Sequence, residues 1–293
     1  MNKNNVMLVV NPISGGVNKV ALIEQLTQYA QNLQLNLYSI ATSGDNDLEN
    51  IRDFYHQYHP ERVLIAGGDG TIKLVAEALE HEDVIFGILP VGSANGLATD
   101  LGLIKSEEEN IAIAFQNHFV IVDCIDINGK MCLHLSDIGL NAKLIKNYHK
   151  SAIRGKLGYA LQLFKTLIYS VKPFHVKINI NNQTIESNAR MIVIANSQKY
   201  GTGVVINPIG IMSDGKFELV ILKRITFGVF MEFVLRKISV TSKDVIVIST
   251  NSAAIHVNKP VSFQIDGEYC GPVKDLNINI IPRKLKIALP KIN

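Results

Sequence analysis

Three short segments rich in glycine and small polar residues have residue types that could bind a phosphorylated ligand. They cover residues 11–16, 67–71 and 92–95, and each follows a run of apolar residues. Glycines let a backbone turn sharply and come close to a bulky ligand. The helix that is expected after the second segment would offer free N–H groups and a positive dipole end to phosphate. Together, the three segments favour a phosphate-binding site over three ordinary loops.

Carboxylates within two motifs could take part in phosphoryl transfer. Asp69 lies among the glycines of the second segment, where a magnesium ion, a water or a ribose hydroxyl would be a better partner than phosphate. The other interpretation is a plain tight turn with Thr71 as a helix N-cap. We expect Asp69→Ala to abolish turnover and to leave the fold intact, because the residue would lie on an exposed sheet edge.

A second acidic motif, Asp266-Gly267-Glu268, lies late in the chain. On a regular strand both carboxylates would lie on one face, and a positioned carboxylate can accept the proton of an alcohol that is being phosphorylated. The alternative is a hairpin turn with two solvated acids.

The first 120 residues alternate between short apolar runs and helical patterns, which predicts a parallel sheet covered by helices. Strand patterns then dominate and predict a second, mostly antiparallel β domain, with helical stretches near 155–171 and 226–238. The strands of this second domain are expected at 119–127, 131–136, 174–181, 184–195, 217–222, 243–249, 261–266 and 276–281.

Composition excludes several classes of protein. The net charge of +3 is too small to indicate nucleic-acid binding, and three cysteines without C-x-x-C spacing fit neither a disulfide framework nor a zinc site. No uncharged apolar run reaches the ~20 residues of a membrane-spanning helix. We therefore expect a cytoplasmic protein that touches membranes peripherally.

The motifs resemble those of the diacylglycerol-kinase catalytic-domain family, which includes bacterial lipid kinases and sphingosine kinases. The matching segments run in order from V-N-P-I-S-G-G, G-G-D-G-T and G-I-L-P-V-G-S-A-N to S-D-G-K-F, I-D-G-E-Y and a final P-R-K-L-K-I-A-L-P. The resemblance implies an α/β nucleotide-binding domain, residues 1–123 with a returning strand at 284–293. An antiparallel β-sandwich domain would cover 124–283 and carry the lipid and catalytic site.

The resemblance also implies roles for individual residues. Glu268 would be the general base, with Asp266 beside it. A structural magnesium would bind the Asp214 carboxylate and the carbonyls of Ile211 and Lys216. Asp69 and Asp123 would belong to a water-linked magnesium network. The expected ATP contacts are Asn11, Pro12, Ile13, Ser14, Gly15, Thr42, Gly67, Gly68, Asp69, Gly70, Thr71, Ile72, Lys73, Leu74, Ser93 and Asn95.

The chain departs from the family pattern at three of these places. Lys73 and Leu74 stand where the family usually has Asn-Glu, and Gly96 stands where bacterial members have an Asp of the magnesium network. The departures put the metal arrangement in question, although Lys73 adds a positive charge near the phosphates.

The predicted function is an ATP- and magnesium-dependent kinase that acts on a membrane lipid such as diacylglycerol, without a nucleic-acid partner and compatible with a homodimer. A binding-only pseudokinase and an NAD kinase are the alternatives. A basic stretch with apolar residues among it at helical spacing is either a membrane-contacting surface or a core-packed helix with a solvated face. Its basic residues are Lys143, Lys146, Lys150, Arg154, Lys156 and Lys165.

Overall fold

The computed structural model describes residues 2–16, 18–93, 95–139, 172–199, 205–224, 226 and 243–291. The basic stretch at 143–165 and the helix predicted at 155–171 lie outside the described residues, as does the one predicted at 226–238 apart from residue 226. The chain forms two compact units, Met1–Val122 with Arg283–Asn293 and Asp123–Pro282. The domain boundaries that the sequence predicted differ from these by one residue.

The first unit is a parallel sheet with helices. Its elements are β1 (Asn2–Val10), α1 (Lys19–Asn32), β2 (Asn36–Ala41), α2 (Asp47–Tyr58), β3 (Pro60–Gly67), α3 (Asp69–Ala78), β4 (Ile85–Pro90), α4 (Gly96–Asp100) and α5 (Glu107–Ala114). The strand order is β2-β1-β3-β4, and the end of the last strand, β14 (Glu268–Ala288), adds to β4. Every one of these neighbours is parallel, as the alternating pattern predicted.

The register of this sheet aligns the carboxyl ends of its strands. Val10 of β1 lies opposite Ala41 of β2 and Ala66 of β3, and Gly67 of β3 lies opposite Pro90 of β4. The loops that follow the four strands therefore leave the sheet at the same edge, which is where open α/β sheets bind ligands.

Antiparallel strands make up the second unit. They are β5 (Phe119–Ile127) from Asp123 onward, β6 (Lys130–Cys132), β7 (Leu135–Ile138), β8 (Phe174–Ile180), β9 (Gln183–Ala189), β10 (Met191–Ala195), β11 (Phe217–Leu222), β12 (Val245–Thr250), β13 (Ser252–Ile265) and most of β14. The prediction of one strand over 184–195 was wrong, since the chain forms β9 and β10 on either side of Arg190. The strands predicted at 261–266 and 276–281 are parts of the longer β13 and β14.

The sheet that contains β10 and β11 is buried on both of its faces, because the alternating side chains of these strands pack into two separate cores. Ile192 and Ile194 pack into one core with Phe217 and Leu219, whereas Val193 packs into a separate core on the other side. Because successive side chains of a strand point to opposite faces, apolar residues at every position give a sheet that is covered on both sides.

Candidate functional site

The loops at the sheet edge of the first unit are joined by hydrogen bonds. Asn11, directly after β1, donates its backbone N–H to Ala66 O of β3 at 3.0 Å and its side-chain amide to Thr71 Oγ1 at 3.0 Å. Val91, after β4, donates its N–H to Gly67 O at 3.2 Å. Thus the segments that the sequence singled out at residues 11–16, 67–71 and 92–95 converge, as expected for strand ends of a parallel sheet.

Glycines bring these loops into backbone contact. A Cβ placed on Gly92 would lie 2.4 Å from Gly68 Cα, and one on Gly15 would lie 2.1 Å from Val91 O. Gly15 also has a φ of +55°, a conformation that L side chains rarely adopt. A backbone surface with so few side chains is suited to close approach by phosphate groups.

A cation that the sequence analysis did not single out lies beside the first loop. Lys19 donates from Nζ to Ser14 O at 2.7 Å, and burial lowers the pKa of its amine. Lys19 is the first residue of α1, where the positive end of the helix dipole disfavours a cation. That unfavourable position was the sequence signal that could have identified it.

The predicted ATP contacts at the start of helix α3 fall into an accessible group and a buried group. Gly68 is its N-cap, and Gly70 is exposed at its start, while Thr71 and Ile72 are 5% and 2% exposed. Because the side chain of Ile72 packs into the core, the predicted contact of this residue with ATP would be made by its backbone. Lys73 and Leu74 are half-buried.

Asp69 is bound to the third loop. Its carboxylate accepts hydrogen bonds from the N–H groups of Gly96, at 2.7 Å, and Leu97, at 3.0 Å, at the start of α4. The residue is half-buried, so the expectation of an exposed edge position needs correction.

The other predicted contacts in these loops have different surroundings. Asn95, which has a φ of +51°, accepts a hydrogen bond from Gly92 N at 2.9 Å and orders the same loop, while Ser93 is exposed. Thr42 donates its N–H to Val10 O at 2.9 Å.

The predicted magnesium turn of the second unit is a compact hydrogen-bonded loop. Asp214 is exposed, and its Oδ1 accepts from Lys216 N at 3.0 Å, while its own N–H donates to Ile211 O at 3.4 Å. Asp123 is buried, and its Oδ2 accepts from Gly215 N at 2.7 Å.

Glu218 lies two residues after this turn and is also buried. Its carboxylate accepts from Asn207 Nδ2 at 2.6 Å and from Ser249 Oγ at 2.9 Å. Burial raises the pKa of Glu218, and the negative charge of Asp214 adds to the increase.

Oxygen donors on the magnesium turn fit a largely hydrated ion. Magnesium is commonly held by one or two carboxylates and keeps several waters, and the exposed Asp214 beside the Ile211 carbonyl supplies such a partial set. Within the described residues, no three His, Cys, Asp or Glu side chains are grouped as a metal centre. Any ion here would therefore rely on the single carboxylate of Asp214, backbone carbonyls and water.

Asp266 and Glu268 do not lie on a regular strand. Asp266 and Gly267 form the turn between β13 and β14 with φ values of +50° and +87°, and Glu268 begins β14. Of the two interpretations, the hairpin turn is observed and the shared strand face is not, because residues at left-handed φ values interrupt the alternation of a strand.

Backbone N–H groups donate hydrogen bonds to both oxygens of the Asp266 carboxylate. Its Oδ1 accepts from the N–H groups of His134 and Leu135, at 2.9 and 3.2 Å, and its Oδ2 accepts from Leu133 N at 2.9 Å. Glu268 is exposed, and its carboxylate accepts no hydrogen bond from the part of the chain that the structure describes. Of the two acids, Glu268 is the one available to a substrate.

Comparison with known families agrees with this arrangement. Residues 5–127 match the family described as "Diacylglycerol kinase catalytic domain", and residues 137–289 match "YegS C-terminal NAD kinase beta sandwich-like domain". The chain belongs to this two-domain family of lipid kinases. The predictions of the family, of an α/β domain followed by an antiparallel β-sandwich, and of a lipid kinase as the enzyme class are thereby confirmed.

Individual relatives span three quarters or more of the chain. It is 23% identical over 294 residues to the diacylglycerol kinase of Bacillus subtilis (strain 168), covering 97% of this chain and 96% of that protein. It is 27% identical to a protein named "Probable lipid kinase YegS-like" from Enterobacter sp. (strain 638), covering 78% of each. A crystal structure of a diacylglycerol kinase from Bacillus anthracis str. Sterne shares the fold, with a TM-score of 0.78, 18% identity, and coverage of 99% of this chain and 98% of that one.

Proposed function

We propose that this protein transfers the γ-phosphoryl group of ATP to the hydroxyl of a membrane lipid such as diacylglycerol, with magnesium. The observation that carries the proposal is the convergence of the loops after β1, β3 and β4 through glycine backbones at one sheet edge. Such an edge, with the N-terminus of α3 beside it, favours the phosphates of a nucleotide.

Each part of this edge has a role in the proposal. The backbone of residues 11–16 and 67–71 surrounds the phosphates, and Lys19 and Lys73 supply positive charge. Ile13 has a side chain that is 90% exposed, an apolar surface that the nucleotide base could cover. Asp69 holds the third loop in place through the N–H groups of α4.

Glu268 acts as the general base in the proposal. Phosphoryl transfer to an alcohol needs an acceptor for the hydroxyl proton, and a positioned carboxylate can supply it. Because three backbone N–H groups occupy Asp266, that residue fixes the turn rather than taking the proton. Asp214 and the Ile211 carbonyl would hold magnesium in the turn of the second unit. The charge of the ion would offset that of the Asp214 carboxylate, and its binding would order the turn.

A direct test is a screen with radiolabelled ATP and magnesium against vesicles that contain diacylglycerol, phosphatidylglycerol, sphingosine, ceramide or undecaprenol. We expect label in one lipid class above a no-lipid blank. NAD in solution is included to test the NAD kinase alternative. Labelled NAD without labelled lipid would replace our proposal with that alternative.

ATP binding without transfer to any of these acceptors would support the pseudokinase alternative. The departures at Lys73, Leu74 and Gly96 motivate that alternative, and the free carboxylate of Glu268 opposes it. Binding of ATP is measured separately by calorimetry, so that loss of the nucleotide site is distinguished from loss of the acceptor site.

A further inference from the structure

The position of Glu268 is set by the turn that precedes it. Asp266 fastens one side of this turn to the backbone between β6 and β7, since its carboxylate binds three N–H groups there and its own N–H donates to Leu135 O at 2.9 Å. Gly267, the central residue of Asp-Gly-Glu, is fastened from the other side. Its N–H donates to Gln264 Oε1 at 2.7 Å.

Gln264 is a buried residue, 3% exposed, that connects this turn to a buried carboxylate. It lies opposite Asp137 in the antiparallel pairing of β13 with β7, and its Nε2 donates to Asp137 Oδ2. Ser136, beside Asp137, donates its hydroxyl to the backbone oxygen of Gln264 at 2.6 Å. The backbone and the side chain of Gln264 are therefore both held.

The donors and acceptors in this chain of bonds permit one orientation of the Gln264 amide. The N–H of Gly267 can only donate, so the amide oxygen must face it. The amide NH₂ then faces Asp137, whose carboxylate accepts. An apolar or donor-only residue at position 137 would leave the NH₂ group without an acceptor and release the constraint.

We infer that Gln264 and Asp137 are positioning residues for the reaction, which hold the turn so that the Glu268 carboxylate meets the lipid hydroxyl in reactive geometry. This inference rests on the proposed function of Glu268. Misplacing a reacting group by about 1 Å can cost on the order of 10²-fold in rate. Loss of the Gly267 bond should accordingly lower turnover, while the nucleotide loops stay intact.

The first test is Gln264→Met, which keeps the volume and removes both bonds. We expect kcat at saturating lipid to fall by about 10- to 100-fold, while the KM for ATP stays within about twofold of wild type. The matched control is Thr250→Val. Thr250 is also 3% exposed in the second unit, and its hydroxyl donates to Ser252 O at 2.9 Å. This control should lower the Tm and leave kcat unchanged.

A second test exchanges the amide at position 264 and the carboxylate at position 137. Gln264→Glu alone would set two carboxylates against each other in a buried place and should lose turnover. In the double variant Gln264→Glu/Asp137→Asn, the new Glu accepts from Gly267 N–H and from the new Asn amide, which restores the pattern of bonds. We expect kcat to recover by at least about tenfold over Gln264→Glu.

Two results of the comparison between Gln264→Met and Thr250→Val would overturn the inference. One is a kcat of Gln264→Met within about twofold of wild type. The other is a loss of kcat in Thr250→Val that equals the loss in Gln264→Met at the same decrease in Tm, because the effect would then be one of stability. Failure of the double variant to recover, although folded, would equally contradict the proposed pattern of bonds.

A readout without catalysis separates this inference from the proposed function. Hydrogen exchange of the Gly267 amide, measured by NMR, should be faster in Gln264→Met and return toward the wild-type rate in the double variant. If wild type phosphorylates no lipid, the proposed function fails, and unchanged exchange in Gln264→Met would separately refute the Gln264 contact.

Discussion

Replacing Asp69 by alanine should lower both stability and turnover. The substitution removes the acceptor for the N–H groups of Gly96 and Leu97, two buried residues at the start of α4. A buried donor without a partner costs about 1–3 kcal/mol. Because water can enter the space left by the side chain, we take the low end for each and expect a loss of about 2 kcal/mol in the free energy of unfolding.

That loss predicts a change in melting temperature. For a unit of about 130 residues, an unfolding entropy of about 2.1 cal/mol/K per residue converts 2 kcal/mol to a decrease of about 7 °C. The sequence alone led us to expect an intact fold, and the two hydrogen bonds are the reason for the revision. Asp69→Asn keeps one acceptor oxygen, so its Tm should decrease by about half as much.

Calorimetry and kinase assays on the same preparations separate the two effects. Ser106→Ala serves as the control, because Ser106 also accepts a backbone N–H, that of Glu109 at 3.2 Å, as the N-cap of α5 outside the glycine-rich loops. It should lower the Tm and leave turnover unchanged. A Tm within about 1 °C of wild type for Asp69→Ala would refute the structural part of the reasoning. Normal turnover in a folded Asp69→Ala protein would refute a role in the nucleotide site.

Three further predictions address the second unit. Glu268→Gln should lower turnover at saturating lipid by about 10²–10⁴-fold with unchanged ATP affinity; turnover within about threefold of wild type would exclude Glu268 as the base, and loss of ATP binding would move it to the nucleotide site. Asp214→Asn should reduce the increase in Tm that magnesium produces; an identical magnesium response in wild type and variant would contradict the metal site. Because the folded-state pKa of Glu218 is raised from 4.5, the stability contributed by its protonated form is lost as pH rises from 4.5 through the folded value. The Tm of Glu218→Gln minus that of wild type should therefore increase over this window; a constant or falling difference would show that burial does not disfavour the charged form.

Local sequence patterns were sufficient to predict the sheet of the first unit. Apolar runs followed by glycine-rich turns specify buried parallel strands, and parallel strands place their carboxyl ends together, so the convergence of residues 11–16, 67–71 and 92–95 followed directly. The Asp266–Glu268 turn was a different case. Its geometry depends on left-handed φ values at Asp266 and Gly267, and a strand pattern with a single glycine does not distinguish a turn from a bulge.

Contacts between residues distant in sequence could not be predicted in this way. Gln264 and Asp137 are 127 positions apart, and neither belongs to a recognised motif. Lys19 was overlooked because its position at a helix start, although unfavourable for a cation, does not reveal its contact with Ser14. The bounds of the long strands β13 and β14 also depend on pairing, because their exposed middle residues have no clear apolar alternation.

The pairing of β14 with β4 has a consequence for how the polypeptide is made. Ile85 and Phe86 receive their parallel neighbours, Lys286 and Ile287, from about 200 positions further along the chain. During synthesis the edge of β4 therefore emerges long before its partner, and an unpaired edge strand is a template for association with other chains. A chain stalled on the ribosome after residue 123 lacks this partner, so we expect it to aggregate rather than to fold as an isolated first unit.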